Sequence, residues 1–221
     1  MSQRCTASHC AEPVAGYSVY CEAHKRTLRR HGHPLQKAIT LAELKPYLDS
    51  ITARRTKNPT NPTWELLRGR WLALSAHAAA SLDSHAAGAI TTTYERQTAE
   101  QLLALGDTVA GDVVIDTALA MFSMWEQWPT RFKSDRAFIY QLSRRVRALS
   151  EIHTGSHWSA KDGRMKRTYR DAPPKTLECF GASLRVAFGL AGMRMAELDK
   201  KDAEGLKAER QELSDALKDL K

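Results

Sequence analysis

No stretch of this 221-residue sequence approaches the ~18 consecutive apolar residues that a membrane-spanning helix requires. Its opening residues, Met1-Ser2-Gln3-Arg4-Cys5, lack the apolar core of a secretory signal. Both absences lead to the expectation of a cytoplasmic protein. Cysteine is scarce, four in all, and in a reducing compartment clustered thiols point to metal and not to disulfides. There is no glycine-rich phosphate loop, no GxSxG elbow and no pair of acids in a catalytic setting, which argues against an enzyme. Internal repeats are missing, and so is β-type alternation outside the cysteine-rich start. Acidic charge is in deficit: 25 Asp and Glu face 33 Lys and Arg, a formal net charge of +8. Such a balance suits anionic partners, nucleic acid first and a membrane surface second, although a basic soluble protein without a polyanion partner has the same composition. With 43% hydrophobic and 26% charged residues, the chain has the make-up of a globular protein and not of a disordered one.

Three of the four cysteines fall within the first 21 residues. Residues 1–36 offer little apolar material besides Val14, Val19, Leu28 and two tyrosines, so this segment needs a staple in place of a core. The spacing C-x4-C-x10-C-x2-H, over Cys5, Cys10, Cys21 and His24, supplies three thiolates and an imidazole, a common tetrahedral set for Zn2+. The ten-residue connector, with Pro13 and Gly16, can return as a loop or hairpin. Four protein ligands leave no open position, so the ion is expected to be structural. His9, His31 and His33 stand near enough in sequence to substitute for a ligand, whereas Cys179 sits alone on an apolar helix face and reads as a core residue.

The run from Cys21 to Pro34, CEAHKRTLRRHGHP, follows the early C-x4-C. Together they resemble the short zinc-binding, zinc-finger-like modules of phage and mobile-element proteins, often found beside HNH endonuclease domains. The resemblance covers residues 5 to 34. It implies that Cys5, Cys10, Cys21 and His24 are the ligands and that the basic helix after them contacts nucleic acid. No HNH-type nuclease site follows: His153 and His157 lie close together in sequence without the acids or amides to complete one. Lys25, Arg26, Arg29 and Arg30 fall on that helix, and a bound ion would hold it rigidly, as phosphate contact requires; a merely solvated face is the other reading.

The remainder reads as mainly α. Thr40 and Glu43 have capping-box spacing for a helix through Ile51, with Pro46 expected to delay or kink it. Further helices are expected from near Thr63 past His77, from Tyr94 to Leu105 with a stop at Gly106, from Val109 to Trp128, from Ser134 through Val146, and from Lys175 to Met195. Gly181, Gly189 and Gly192 either weaken the last of these or mark close helix contacts. Leu206, Leu213 and Leu220 repeat every seven residues, with Ala203 and Leu217 in a second row, for a partner helix or for a solvated terminal one. The expected organisation is a zinc module at 1–36 and an α-helical domain at 37–221, with a basic loop or short hairpin at 151–174 and a C-terminal helix.

Residues 131–175 hold twelve cations, namely Arg131, Lys133, Arg136, Arg144, Arg145, Arg147, Lys161, Arg164, Lys166, Arg167, Arg170 and Lys175, against four anions. That surplus of eight equals the net charge of the chain, so positive charge is gathered here. His157, Trp158 and Tyr169 lie among the cations, where an aromatic suits base stacking; for Trp158 a loop anchor packed in the core is the alternative. Asp112 and Asp116, one helical turn apart, suit a metal site or, more simply, caps and surface positions. The sequence therefore leads to a non-catalytic, zinc-containing protein of a phage, plasmid or mobile element that binds DNA or RNA, in one version a subunit of a nucleoprotein complex such as a CRISPR effector. The alternatives are a dimeric DNA-binding regulator or replication accessory joined by the C-terminal heptads, a protein-binding inhibitor or adaptor, and a degenerate nuclease.

Overall fold

A computed structural model describes residues 3–150, 155–160, 163–168 and 171–219. These form seven α-helices and one two-stranded sheet: α1 (Glu22–His31), α2 (Leu41–Lys57), α3 (Pro62–Ala86), α4 (Thr93–Thr108), α5 (Gly111–Gln127), α6 (Asp135–Arg147), β1 (Gly155–Ser159), β2 (Arg164–Thr168) and α7 (Pro174–Asp219). The fold is mainly α, with a small Cys/His module at its start.

Local chemistry sets most helix starts. Thr40 accepts from the Glu43 amide while the Glu43 carboxylate accepts from Thr40 N–H, a complete capping box for α2. Asn61 caps α3 with Pro62 at its first position, and Ser134 caps α6. A second capping box, Thr92 with Glu95, starts α4. Pro46 does not delay α2, and the expected stop at Gly106 does not occur. α2 runs seventeen residues straight through Pro46, and α4 passes through Gly106, whose flank lies against Trp71. In both, tertiary packing outweighs the propensity of one residue.

The core is organised on α5, where Val114, Ile115 and every residue from Thr117 to Met124 are buried. α7, α2, α6 and α3 pack around it, and α4 fills the space between α3 and α7. Trp64, Leu67, Trp71 and Ala78 give α3 one inward stripe. Phe138 of α6 stacks on Trp125 at 4.3 Å and meets Phe132 edge-on at 5.4 Å. α6 is covered nearly all round, from Ala137 to Ser143, because α5 and α7 take one side and the Cys/His module takes another. Asp112 and Asp116 serve the scaffold: Asp112 pairs with Arg68 at 2.9 Å and with Arg55, and Asp116 pairs with Arg55.

α7 joins the expected helix at 175–195 and the charged tail into one helix of 46 residues. Its glycines mark close approaches. A Cβ at Gly181 would stand 2.6 Å from Ser143 Oγ and 2.7 Å from the Ile139 carbonyl oxygen, where α6 and α7 cross and Ser143 donates to the Leu177 carbonyl at 2.6 Å. From Lys200 to Asp215 every residue is exposed. Among the described residues the β-structure of the body is the β1–β2 hairpin, antiparallel with Trp158 opposite Met165, in the segment left open between loop and hairpin. The cysteine-rich segment contributes a single bridge, Arg4 with Pro13.

Because Gly181 has no room for a methyl group, Gly181→Ala is expected to lower stability by about 1–3 kcal/mol, the usual cost of overpacking, read as a drop in thermal midpoint. An unchanged midpoint would mean that α6 and α7 do not cross this closely.

Candidate functional site

The N-terminal segment folds back by short turns. Cys5 N–H donates to Glu12 O at 2.9 Å, Thr6 N–H to Val19 O at 3.0 Å and Ala15 N–H to Tyr20 O at 3.0 Å. This brings Cys5 and Cys10 beside the start of α1, where Cys21 is the N-cap and His24 lies in the first turn. Their four donor atoms lie within 4.8 Å of one another. Cys21 Sγ is 3.2 Å and Cys5 Sγ is 3.5 Å from His24 Nδ1, and Cys10 Sγ is 3.9 Å from Cys21 Sγ. Around a tetrahedral ion with metal–sulfur bonds of ~2.3 Å and metal–nitrogen bonds of ~2.0 Å, donor–donor edges are about 3.5–3.8 Å. The set therefore has the size of a tetrahedral metal cage, and it can hold a metal ion.

The thiols feel one another. Burial opposes ionisation of Cys5, but hydrogen bonds from the Cys21 and Ala7 amides, with His24 and Cys10, bring it down to about 6. Cys10 moves upward: the Glu12 amide favours its thiolate, yet burial and the neighbouring sulfurs of Cys5 and Cys21 prevail. Sulfurs at this spacing resist ionising together unless a cation sits among them. The other candidate ligands are engaged elsewhere. His9 is exposed in a turn with φ 62°, His33 Nδ1 accepts from Leu35 N–H, and His31 faces α6. Cys179 is half-buried in α7 and takes no part.

α1 ends by docking on α6. Gln141, buried in α6, donates to His31 Nδ1 at 3.1 Å and accepts from Ile39 N–H at 3.0 Å. Burial, then Arg144 and Arg30, hold His31 down to about 4, so it is neutral at pH 7. Gly32 closes the helix at φ 79°, and a Cβ there would stand 2.9 Å from Arg136 O. Gln36 is buried and bonds Lys133 N–H and two carbonyls. The bonds of His31 and Ile39 to Gln141, and of Gln36 to Arg131 and Lys133, have no spacing signal, since their partners lie about a hundred positions apart.

Between α1, α6 and the start of α7 runs a groove of about 580 Å³, lined by Arg26, Arg29, Arg30 and Arg144 with Pro173 and Leu177. Asp171 bridges Arg30 at 2.7 Å and Arg144 at 3.2 Å. Arg26 and Arg29 are exposed and pair with no carboxylate among the described residues. Lys25 is half-buried.

The cations of 131–175 divide. Arg131 is bound into the scaffold, with Nε 2.7 Å from Glu43 Oε1 and Nη2 2.8 Å from the Ala38 carbonyl oxygen. Arg136 pairs with Glu178 at 2.7 Å and lies over the Tyr140 ring. Arg145 and Arg147 are half-buried, and burial followed by the Arg144 charge makes their own charge harder to keep. Lys133, Arg164 and Lys175 are exposed, the last above the Tyr94 ring. Lys166 and Arg167 belong to β2, while His153, Lys161, Tyr169 and Arg170 lie outside the described residues. Trp158 is 60% exposed and so is not a core anchor.

One metal ion per chain is expected by native mass spectrometry, lost in Cys21→Ser together with a fall in thermal midpoint. A metal-free chain whose midpoint ignores chelators would overturn the cage. Arg131→Ala is expected to cost about 1.5–3 kcal/mol, as for a hydrogen bond to a charged group. The Arg131 guanidinium, helped by Thr40, holds Glu43 down to about 2 from its ordinary 4.5. Its contribution is complete above pH 4.5 and is lost as pH falls toward 2, so acid titration of stability should lose part of that segment in the variant; identical acid limbs would refute the pairing.

In comparisons with known proteins, no family model, no curated protein and no solved structure matches the chain.

Proposed function

We propose that the protein binds nucleic acid along the arginine groove beside its Cys/His centre, and that the centre holds a structural zinc ion. Three thiolates and one imidazole in a closed tetrahedral set are the ligands zinc prefers. Zinc so placed fixes the first turn of α1 and with it the direction of Arg26 and Arg29. The observation that carries the reading is the groove: four arginines from two helices converge on one concavity, and two of them have no carboxylate partner among the described residues. Guanidinium forks match phosphate oxygens bidentately, and the groove opens at the first turn of α7, the positive end of a helix. Exposed Lys133 and Arg164 extend the positive surface. In this reading the protein is a binding subunit and not an enzyme. The resemblance of residues 5 to 34 to mobile-element zinc modules suggests service in a phage or plasmid nucleoprotein complex, of which a CRISPR effector is one form.

A second reading, a dimeric DNA-binding regulator, draws on α7: Leu206 and Leu213 are 57% and 63% exposed on the part of the helix that lies beyond the core. A sedimentation coefficient that rises with concentration and falls in a Leu206→Lys/Leu213→Lys variant would favour it.

The primary reading is tested by fluorescence anisotropy of labelled oligonucleotides over a salt series. Each phosphate contact contributes about 0.9 to the log–log salt slope on duplex and about 0.7 on a single strand. Arg26→Ala/Arg29→Ala is therefore expected to lower the slope by about 1.8 on duplex or 1.4 on a single strand. Equal slopes would remove the groove from the interface, and absence of binding by the parent protein at physiological salt would remove the function.

A further inference from the structure

We infer that the outer face of the β1–β2 hairpin is a stacking platform for an unpaired base of single-stranded nucleic acid; the inference rests on the nucleic-acid reading above and names the form of polymer it takes. Trp158 and Met165 are directly opposed in the antiparallel register, which places such side chains on one face with Cβ atoms about 4.5–5.5 Å apart. Both are exposed, at 60% and 58%. An indole and a thioether side by side make a flat, polarisable apolar surface of the size of a base, and among the described residues the sheet has two strands and both side chains are exposed. In a two-stranded hairpin that leaves its largest apolar pair mostly in solvent, the pair contributes a cross-strand contact and little burial.

Charge selects the occupant. Arg164 is exposed in β2 next to Met165, on the opposite face of the ribbon by strand alternation, and the sequence that follows, 166–170, is basic. Asp171 of the arginine groove is six positions on from Met165, at most ~21 Å of extended chain, so one short strand can reach both. An apolar pair on a ribbon of basic sequence suits a polyanion that carries its own aromatic faces. Bases inside a duplex are already stacked on each other and cannot lie on the indole, whereas those of a single strand can.

The test uses the full chain with its metal and four fluorescein-labelled 12-mers: oligo-dT, oligo-rU, an abasic strand of the same length and charge, and a duplex. The parent protein is expected to bind oligo-dT or oligo-rU roughly ten-fold or more tightly than the abasic strand. Trp158→Ala is expected to remove that difference while leaving abasic binding unchanged. Trp158→Phe should keep most of it, and the parent-minus-Phe emission difference should be quenched on binding. Comparable circular dichroism and thermal midpoints in both variants guard against a folding defect, which is not expected at so exposed a position. Equal, salt-sensitive binding to base-bearing and abasic strands overturns the platform and leaves the groove standing. A base preference that survives Trp158→Ala overturns it as well, as does tighter binding of duplex than of single strand. No binding to any of the four overturns the platform and the nucleic-acid function together, and leaves the exposed pair to a protein partner.

Discussion

Three sulfur atoms and an imidazole nitrogen held within 4.8 Å of one another have the size of a tetrahedral metal cage. The loops that carry them have almost no core of their own, so the packing of these four side chains on one another sets their fold. Among the described residues, the buried cluster there consists of Cys5, Ala7 and Cys21. Much else follows from this one constraint. Cys21 and His24 are the N-cap and first turn of α1, so whatever fixes the cage also fixes the axis of the helix. The other end of α1 is held independently by the His31–Gln141–Ile39 relay and by the close seat of Gly32 on α6. A ten-residue helix is marginal alone, and here it is held at both ends. Its arginines face a groove whose far wall belongs to another part of the chain.

That wall shows how charge counted along a sequence differs from charge available in space. The surplus at 131–175 looked like one electropositive segment. Two of its cations are compensated by acids outside it, Arg131 by Glu43 and Arg136 by Glu178, and Arg144 shares Asp171 with Arg30. Arg131 acts as a bracket that joins the strap at 37–38 and the capping box of α2 to the loop before α6. Among the described residues, Arg26, Arg29, Arg30 and Arg144 line the groove.

Secondary structure was legible wherever its cause was local. The Thr40–Glu43 box, the Asn61-Pro62 start and the Ser134 cap are each decided by side chains within three residues of the backbone groups they satisfy. Misjudged boundaries had distant causes. Pro46 was expected to delay or kink α2 and Gly106 to end α4, but packing of α2 on α5 and of α4 on Trp71 carries the helix through both positions. The glycines of α7 carried two meanings in sequence, weakness or contact. Gly181 against Ser143 and Ile139, and Gly192 against Phe122, are contact.

By itself the sequence determined the helical class, the four donors Cys5, Cys10, Cys21 and His24, and the basic character of α1, because caps, ligand spacing and charge act over a few residues. Only the tertiary structure decided that His9, His31 and His33 stand outside the cage, that Gln141 is the buried polar hinge between module and body, and that Asp171 gathers Arg30 and Arg144. It also decided that Trp158 faces solvent opposite Met165. Each of these depends on which surfaces come together when apolar residues leave water, a non-directional force that leaves no short-range pattern in the chain.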